Sequence, residues 1–459
     1  MPEPSSVESL SLTRHFKATL AFGLPLVGAN LAGLAINVTD TVMVGWLGAT
    51  QLAAVVLAGQ FYFLMWIVGA GMAFAVVPLA SNALGAGDTA RVRRAIRMGL
   101  WLLMLYSSVA IVPLWFAEEI FLALGQPPEI ADLAGTYMRV AAWALFPAAL
   151  LAGLRAFLMS LQCARFILAA TISGAVLNGL LNYVFIFGNF GAPRMEIAGA
   201  ALATVGANIF IAAAMTGYII LRPKTRSFKI FNRIWRPDRD LFFEILRLGW
   251  PISIGLLAEM GLFMAATIMM GWLGTIALAA HGIVMQLVAM AFMVPLGVAN
   301  AATVRVGLAF GCSDWPALGR AGAAVIIAAS LMSLAIAVVY LTFPRFLITR
   351  FLEMGNAKSA EVLNYAIPLL VIAAIFHLFD GLQVVGIGVL RGMKDTRVPM
   401  YIAMFSYGII GVPIAYFLAF NFGLGGIGIW IGMLIALVVA AAALLHRFAQ
   451  RDRLSLLPE

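Results

Sequence analysis

The sequence predicts an all-α polytopic membrane protein of twelve transmembrane helices, arranged as two six-helix lobes related by a pseudo-two-fold axis along the membrane normal. Three observations carry this expectation. Of 459 residues, 63% are hydrophobic and 11% charged, which is more apolar surface than one water-soluble core can hide. Uncharged stretches recur from end to end; those between Arg97 and Ala117, Val140 and Arg155, and Ala321 and Phe343 are apolar around the whole helix rather than striped. Finally, Met269-Met-Gly271-Trp-Leu-Gly274 repeats Met43-Val-Gly45-Trp-Leu-Gly48 with residue numbers 226 apart, and Pro251 stands to Pro25 at the same spacing.

Charges, Pro/Gly turns and the length needed to cross hydrocarbon divide the chain into twelve apolar segments. In order they run Phe16 to Gly45, Leu52 to Leu79, Ile96 to Phe116, Tyr137 to Met159, Phe166 to Phe187 and Ala198 to Leu221 in the first half. In the second half they run Ile245 to Met270, Ala277 to Ala302, Gly319 to Phe343, Leu363 to Leu390, Val398 to Phe420 and Gly425 to Leu445. The domains expected are an N-terminal tail (1–15), an N-lobe (16–221), a basic linker (222–244), a C-lobe (245–445) and a C-terminal tail (446–459). Six spans per half is an even number, so the two halves share one orientation in the bilayer. Both tails and the linker are expected in the cytoplasm, because this arrangement puts 24 Lys and Arg residues on the inner side and 5 on the outer. Met1 to Arg14 is polar and lacks a small-residue cleavage pattern, so the first span is expected to be retained.

Composition also excludes several classes. The net charge of +9 sits in short loops between apolar spans, where it orients helices rather than gripping nucleic acid. The two cysteines, Cys163 and Cys312, form no CxxC pair, and no His/Cys cluster has metal-ligand spacing. No GxxxxGK[ST] stretch is present, so a P-loop route to nucleotide hydrolysis is absent, and an ion gradient is left as the energy source. His15, His281, His377 and His446 are scattered, which argues against an integral membrane enzyme.

Of the 20 acidic residues, Asp40, Glu259 and Asp380 fall inside spans one, seven and ten, with no Lys or Arg near them by helical spacing. A carboxylate at mid-span costs about 2.5 to 3.5 kcal/mol on insertion scales, so intramembrane acids point to function. They are expected to be the sites where a proton or metal cation exchanges with a cationic solute. None repeats: at a spacing of 226, Asp40 meets Ala266 and Glu259 meets Gly33. Oxygen donors cluster by sequence around Asp40. Asn37 precedes it on its own helix, Asn178 and Asn182 share one face of segment five, and Thr204 lies on segment six; such ligands suit Na⁺ and proton relays alike. In the C-lobe the candidate polar neighbours are Gln286, His377 and Gln383. Amides also serve as interhelical glue, so these residues are candidates on two counts. Within spans, Pro25, Pro78, Pro251, Pro295, Pro368 and Pro413 permit bends, and Pro25 shares its segment with Asp40.

Three stretches resemble one family. Leu20 to Gly48 with Asp40-Thr-Val-Met-Val-Gly45, Pro251 to Gly274 with Glu259, and His377-Leu-Phe-Asp380-Gly-Leu-Gln-Val-Val-Gly386 followed by Val389-Leu-Arg391-Gly-Met-Lys394-Asp395-Thr-Arg397 are similar to the multidrug and toxic compound extrusion (MATE) family, in its NorM branch. The resemblance implies a monomeric secondary antiporter in the cell's inner membrane, without cofactor, that expels small organic cations in exchange for Na⁺ or H⁺ by alternating access of two lobes. It implies that Asp40, Glu259 and Asp380 are the cation- or proton-coupling residues. Polar residues of helix five and a threonine of helix six in the N-lobe site would fall on Asn178, Asn182 and Thr204. Where some members carry an aspartate in helix five, this chain has Asn182, which removes one negative charge. A flippase for a lipid-linked precursor shares the same superfamily architecture and is the alternative transporter; it calls for basic residues lining the cavity, whereas the spans here carry acids.

Overall fold

The computed structural model describes residues 11–352, 357–454 and 456. Residues 1–10 of the expected N-terminal tail, residues 353–356, and residues 455 and 457–459 of the expected C-terminal tail lie outside the described residues. Twelve long apolar helices account for nearly all of the described chain: α1 Leu12–Gly45, α2 Ala49–Gly85, α3 Thr89–Trp115, α4 Pro128–Ser160, α5 Ala164–Phe187, α6 Glu196–Leu221, α7 Arg239–Leu273, α8 Thr275–Gly311, α9 Trp315–Thr342, α10 Lys358–Gly392, α11 Arg397–Asn421 and α12 Gly425–Ala449. The protein is a multi-pass, all-helical membrane protein, as the sequence predicts. Hydropathy locates every span but underestimates its length. The 37 residues each of α2 and α8 reach about 55 Å, well beyond a hydrocarbon core of about 30 Å. Apolarity ends at the headgroups, whereas a helix continues until its backbone is capped.

The caps carry the duplication. Gly48 and Gly274, 226 residues apart, precede α2 and α8 with φ of 141° and 115°, a region that favours glycine. Asp88 and Asp314, again 226 apart, cap α3 and α9 by accepting from the backbone N–H of Arg91 (2.8 Å) and Ala317 (2.9 Å). Asp88→Ala should therefore cost about 1 kcal/mol, seen as a lower thermal midpoint in detergent. Beside the glycines, Trp46 (68% exposed) and Trp272 (65% exposed) are a third pair, placed as interfacial aromatic anchors.

Two segments between the apolar spans are more helical than their polarity suggests. The outer segment 117–136 is largely helical: Ala117–Ala123 forms a short helix, and α4 starts at Pro128, where a proline costs nothing because the first N–H needs no intrahelical partner. The linker 222–244 is shorter than its polarity implies, since α7 already begins at Arg239 and Pro223–Arg226 is helical. Two helices change their winding at prolines. In α4 a 3₁₀ turn, Ala142–Ala144, lies just before Pro147, whose ring opposes the carbonyl of Trp143. In α11 a π stretch, Met404–Gly411, precedes Pro413, which opposes Ile409 in the same way.

The described chain forms two compact units, one comprising residues 28–253 and the other residues 254–459 together with the first 27. Both boundaries lie inside helices, two residues after Pro25 in α1 and Pro251 in α7. This division differs from one placed at the linker. In the 28–253 unit, Ser253 of α7 donates to the carbonyl of Val68 (2.6 Å), and Gly71 lets the helices touch there; a Cβ on Gly71 would lie 2.5 Å from the Ser253 nitrogen. In the other unit Gly297 does the same for α1 and α8, where an added Cβ would lie 2.7 Å from the Val27 nitrogen. Val27 and Ser253, like Gly71 and Gly297, are 226 apart. The core of the 254–459 unit centres on Phe376, Tyr407 and Trp430, and that of the 28–253 unit on Leu114, Phe121, Met138 and Leu145.

Candidate functional site

Each unit buries its own acidic site. In the 28–253 unit, α1 carries Asp40 into contact with α5 and α6. The buried stripe of α5 runs Ile167, Ala170, Thr171, Gly174, Asn178, Asn182 and Ile186, a helical period in which two amides replace apolar residues. Small residues of α6, Ala200, Ala203 and Ala207, are buried around Thr204 and permit close helix packing. The result is a hydrogen-bonded network in which Asn182 Oδ1 and Asn178 Nδ2, both buried, keep no partner. Asn182 Nδ2 donates to Asp40 Oδ1 at 2.6 Å, Thr204 Oγ1 donates to Asp40 Oδ2 at 2.6 Å, and Asn182 Nδ2 also reaches Asn178 Oδ1 at 3.2 Å. The two short bonds to the carboxylate have the length of charge-assisted hydrogen bonds. Asn37 does not join. It is exposed, and its backbone carbonyl accepts from Thr41 Oγ1 at 2.8 Å. A buried residue the sequence did not single out, Tyr137 of α4, lies within Coulombic range of Asp40.

In the 254–459 unit, α10 presents His377, Asp380 and Gln383 at intervals of three, all buried. Glu259 of α7, half-buried, is within Coulombic range of Asp380. Tyr407 senses both acids, and it occupies the π stretch of α11, so the wider winding before Pro413 sets its position. From α9, Tyr340 lies within Coulombic range of Asp380, stands 6.3 Å from the His377 ring centroid, and donates to the Leu287 carbonyl at 2.8 Å. Gly381 allows Ser333 of α9 to approach α10 closely. Helical spacing gives Glu259 no cation on its own helix, but one reaches it from another. Arg391, which sequence spacing assigns to an inner loop, closes the last turn of α10 and attracts Glu259. Gln286 is exposed, and His281 is buried with Nε2 3.2 Å from Thr267 Oγ1.

The two sites differ in what they lack. Both oxygens of Asp40 already accept hydrogen bonds. By contrast Asp380 Oδ1 and Gln383 Oε1, both buried, have no hydrogen-bond donor, and neither ring nitrogen of His377 has a partner. Buried acceptors without donors, with a second carboxylate in range, form an oxygen-rich set that fits a hard monovalent cation or a proton. Binding one positive charge relieves both the desolvation of Asp380 and its repulsion from Glu259. Among the described residues no three His, Cys, Asp or Glu side chains gather as a transition-metal set.

Comparison with known proteins places this arrangement. The profile of the family described as MatE matches residues 25–184 and 251–417, which is most of the chain. The protein belongs to the MatE family. Its two matched segments begin at Pro25 and Pro251, the prolines that repeat. Among relatives, this MatE chain is 48% identical over 434 residues to the "Probable multidrug resistance protein NorM" of Rhizobium meliloti, covering 95% of this chain and 93% of the relative. To the protein of the same name from Brucella suis it is 36% identical over 449 residues, covering 97% and 95%. The resemblance to the NorM branch is thus shown. Among solved structures, the MatE fold here superposes on a MOP superfamily transporter from Pyrococcus furiosus with a TM-score of 0.88 at 21% identity, covering 100% of this chain and 99% of the other. A eukaryotic MATE transporter gives 0.84 at 21% identity, covering 95% and 96%.

Proposed function

We propose that this MatE protein is a multidrug efflux antiporter that exports small organic cations, drugs and dyes among them, in exchange for Na⁺ or H⁺. The observation that carries the reading is the pair of buried acceptors on α10, Asp380 Oδ1 and Gln383 Oε1, without donors, with Glu259 in Coulombic range of Asp380. The coupling cation is assigned to this C-terminal site, and Asp40, with Asn178, Asn182 and Thr204 around it, to a second exchange point. Export follows because cation and drug compete for the same negative charge: loading the carboxylates from one side of the membrane releases a positively charged solute on that side. The protein works as a monomer in the inner membrane with both termini cytoplasmic; the 24-to-5 division of basic residues supports that orientation. No cofactor is needed. The relatives' name, multidrug resistance protein, supports the substrate class.

Proteoliposomes test the proposal. Ethidium should leave the lumen of vesicles holding wild-type protein when a Na⁺ gradient is imposed at zero ΔpH, or when ΔpH is imposed without Na⁺. Whichever gradient drives efflux names the ion. If dye movement under both gradients matches that in protein-free vesicles, gradient-coupled export is wrong.

A further inference from the structure

We propose that the basic pocket between the start of α3 and the linker, in the 28–253 unit, binds the paired phosphates of an anionic phospholipid headgroup. The pocket has a volume of about 500 Å³ and brings together Arg93, Arg94 and Arg97 of α3 with Lys229, Arg233 and Arg236 of the linker. One acid, Asp238, faces these six cations, and it is engaged: Oδ2 pairs with Arg94 Nη1 at 3.2 Å and Oδ1 accepts from the Leu241 N–H at 3.2 Å. The neighbouring Glu244 is held by Arg91 at 2.9 Å. Five positive charges are left facing one cavity, an arrangement whose self-repulsion a bound polyanion relieves.

Arg97 gives the pocket a floor. It is 5% exposed, its Nη1 donates to the Arg233 carbonyl at 3.1 Å, and its Nε is buried with no partner. A desolvated guanidinium holding a donor in reserve is the group that phosphate recognition uses. The linker wall is fixed in place. Trp101 Nε1 donates to the Ile234 carbonyl at 2.7 Å, the Asp238 N–H meets Met98 Sδ at 3.2 Å, and Lys229 and Arg233 adopt left-handed φ of 50° and 55°, costly for residues with a Cβ.

Depth and size choose a lipid over a soluble phosphate. Trp235 (76% exposed), next to Arg236, and Trp101 (49% exposed), bonded to the linker at Ile234, are exposed indoles near the pocket, the side chains that sit at headgroup level. Basic pockets at that level bind multiply charged headgroups. A single phosphodiester brings one negative charge, whereas diphosphatidylglycerol brings two on one short headgroup, the closer match to five cations in a cavity of this volume. This proposal stands apart from the transport reading, since none of its residues is among those assigned to the acidic sites.

The experiment is native mass spectrometry of the full chain in detergent with diphosphatidylglycerol, phosphatidylglycerol, phosphatidylcholine or inorganic pyrophosphate as the probe. One diphosphatidylglycerol should be retained at least tenfold more tightly than phosphatidylcholine. R93Q/R236Q, which removes two cations from the accessible rim and spares Arg97, should weaken that binding at least tenfold; where that pair lowers the lipid-free thermal midpoint, K229Q/R233Q supplies the same readout. Equal retention of the two lipids by wild type, unchanged binding in the rim variants, or displacement of the lipid by equimolar pyrophosphate would each overturn the assignment.

Discussion

Asp380→Asn is expected to abolish gradient-driven ethidium efflux, with a fall in initial rate of at least tenfold and no loss of protein from the membrane. The substitution keeps the size of the side chain and removes the charge proposed to draw the coupling cation to α10. It also supplies an N–H₂ to a place whose buried neighbours, Gln383 Oε1 and His377, lack partners, so the variant should fold at least as well as wild type. The combination of intact folding and lost transport separates a coupling role from structural glue, for which removing the charge would be harmless or would lower stability. Glu259→Gln should act more mildly, because Arg391 already attracts Glu259 from the end of α10. Efflux by Asp380→Asn at the wild-type rate would remove Asp380 from the mechanism.

Gly71→Val should destabilise the protein by about 1–3 kcal/mol, the cost of overpacking a close contact, and Gly297→Val by a similar amount. At Gly71 the new Cβ would lie 2.5 Å from the backbone nitrogen of Ser253 and 2.6 Å from the Gly249 carbonyl oxygen; at Gly297 it would lie 2.7 Å from the Val27 nitrogen. Backbone cannot swing aside as a flexible side-chain tip can. Gly33→Ala is the control, because nothing stands within 4 Å of its added Cβ. The check is the thermal midpoint in detergent, with the two valine variants lowered and Gly33→Ala close to wild type. Equal midpoints for all three would show that these helix contacts are loose.

Twelve spans and their duplication were legible in the sequence because both rest on local properties, hydropathy over about twenty residues and a repeated turn. The three intramembrane acids were legible for a related reason: charge inside an apolar run is rare and costly. What spacing cannot give is which residues from different helices meet. The pairing of Asn182 and Thr204 with Asp40 matches an expectation drawn from resemblance, yet Asn37, which periodicity alone favoured, is exposed. Arg391 was hidden because hydropathy ended the tenth span before it, and Tyr407 because a π stretch shifts the face that an α-helical count would assign it. Tyr137 and Tyr340 carried no signal, as an aromatic within a span is ordinarily core. The winding changes before Pro147 and Pro413 could have been found, since each proline opposes the carbonyl four residues earlier.

The boundaries after Val27 and Ser253 bear on how such a chain is made. During synthesis the first part of α1, up to Val27, enters the bilayer first, but the unit it belongs to resumes only at residue 254, more than two hundred residues later. The middle unit, in turn, is not whole until the first part of α7 has emerged. A ribosome that stops at the linker therefore releases neither unit complete, and two fragments cut between residues 227 and 238 should regain a native fold only when both are present in one membrane. Duplication gave this chain two similar halves, and the proline crossings have made each half dependent on a piece of the other.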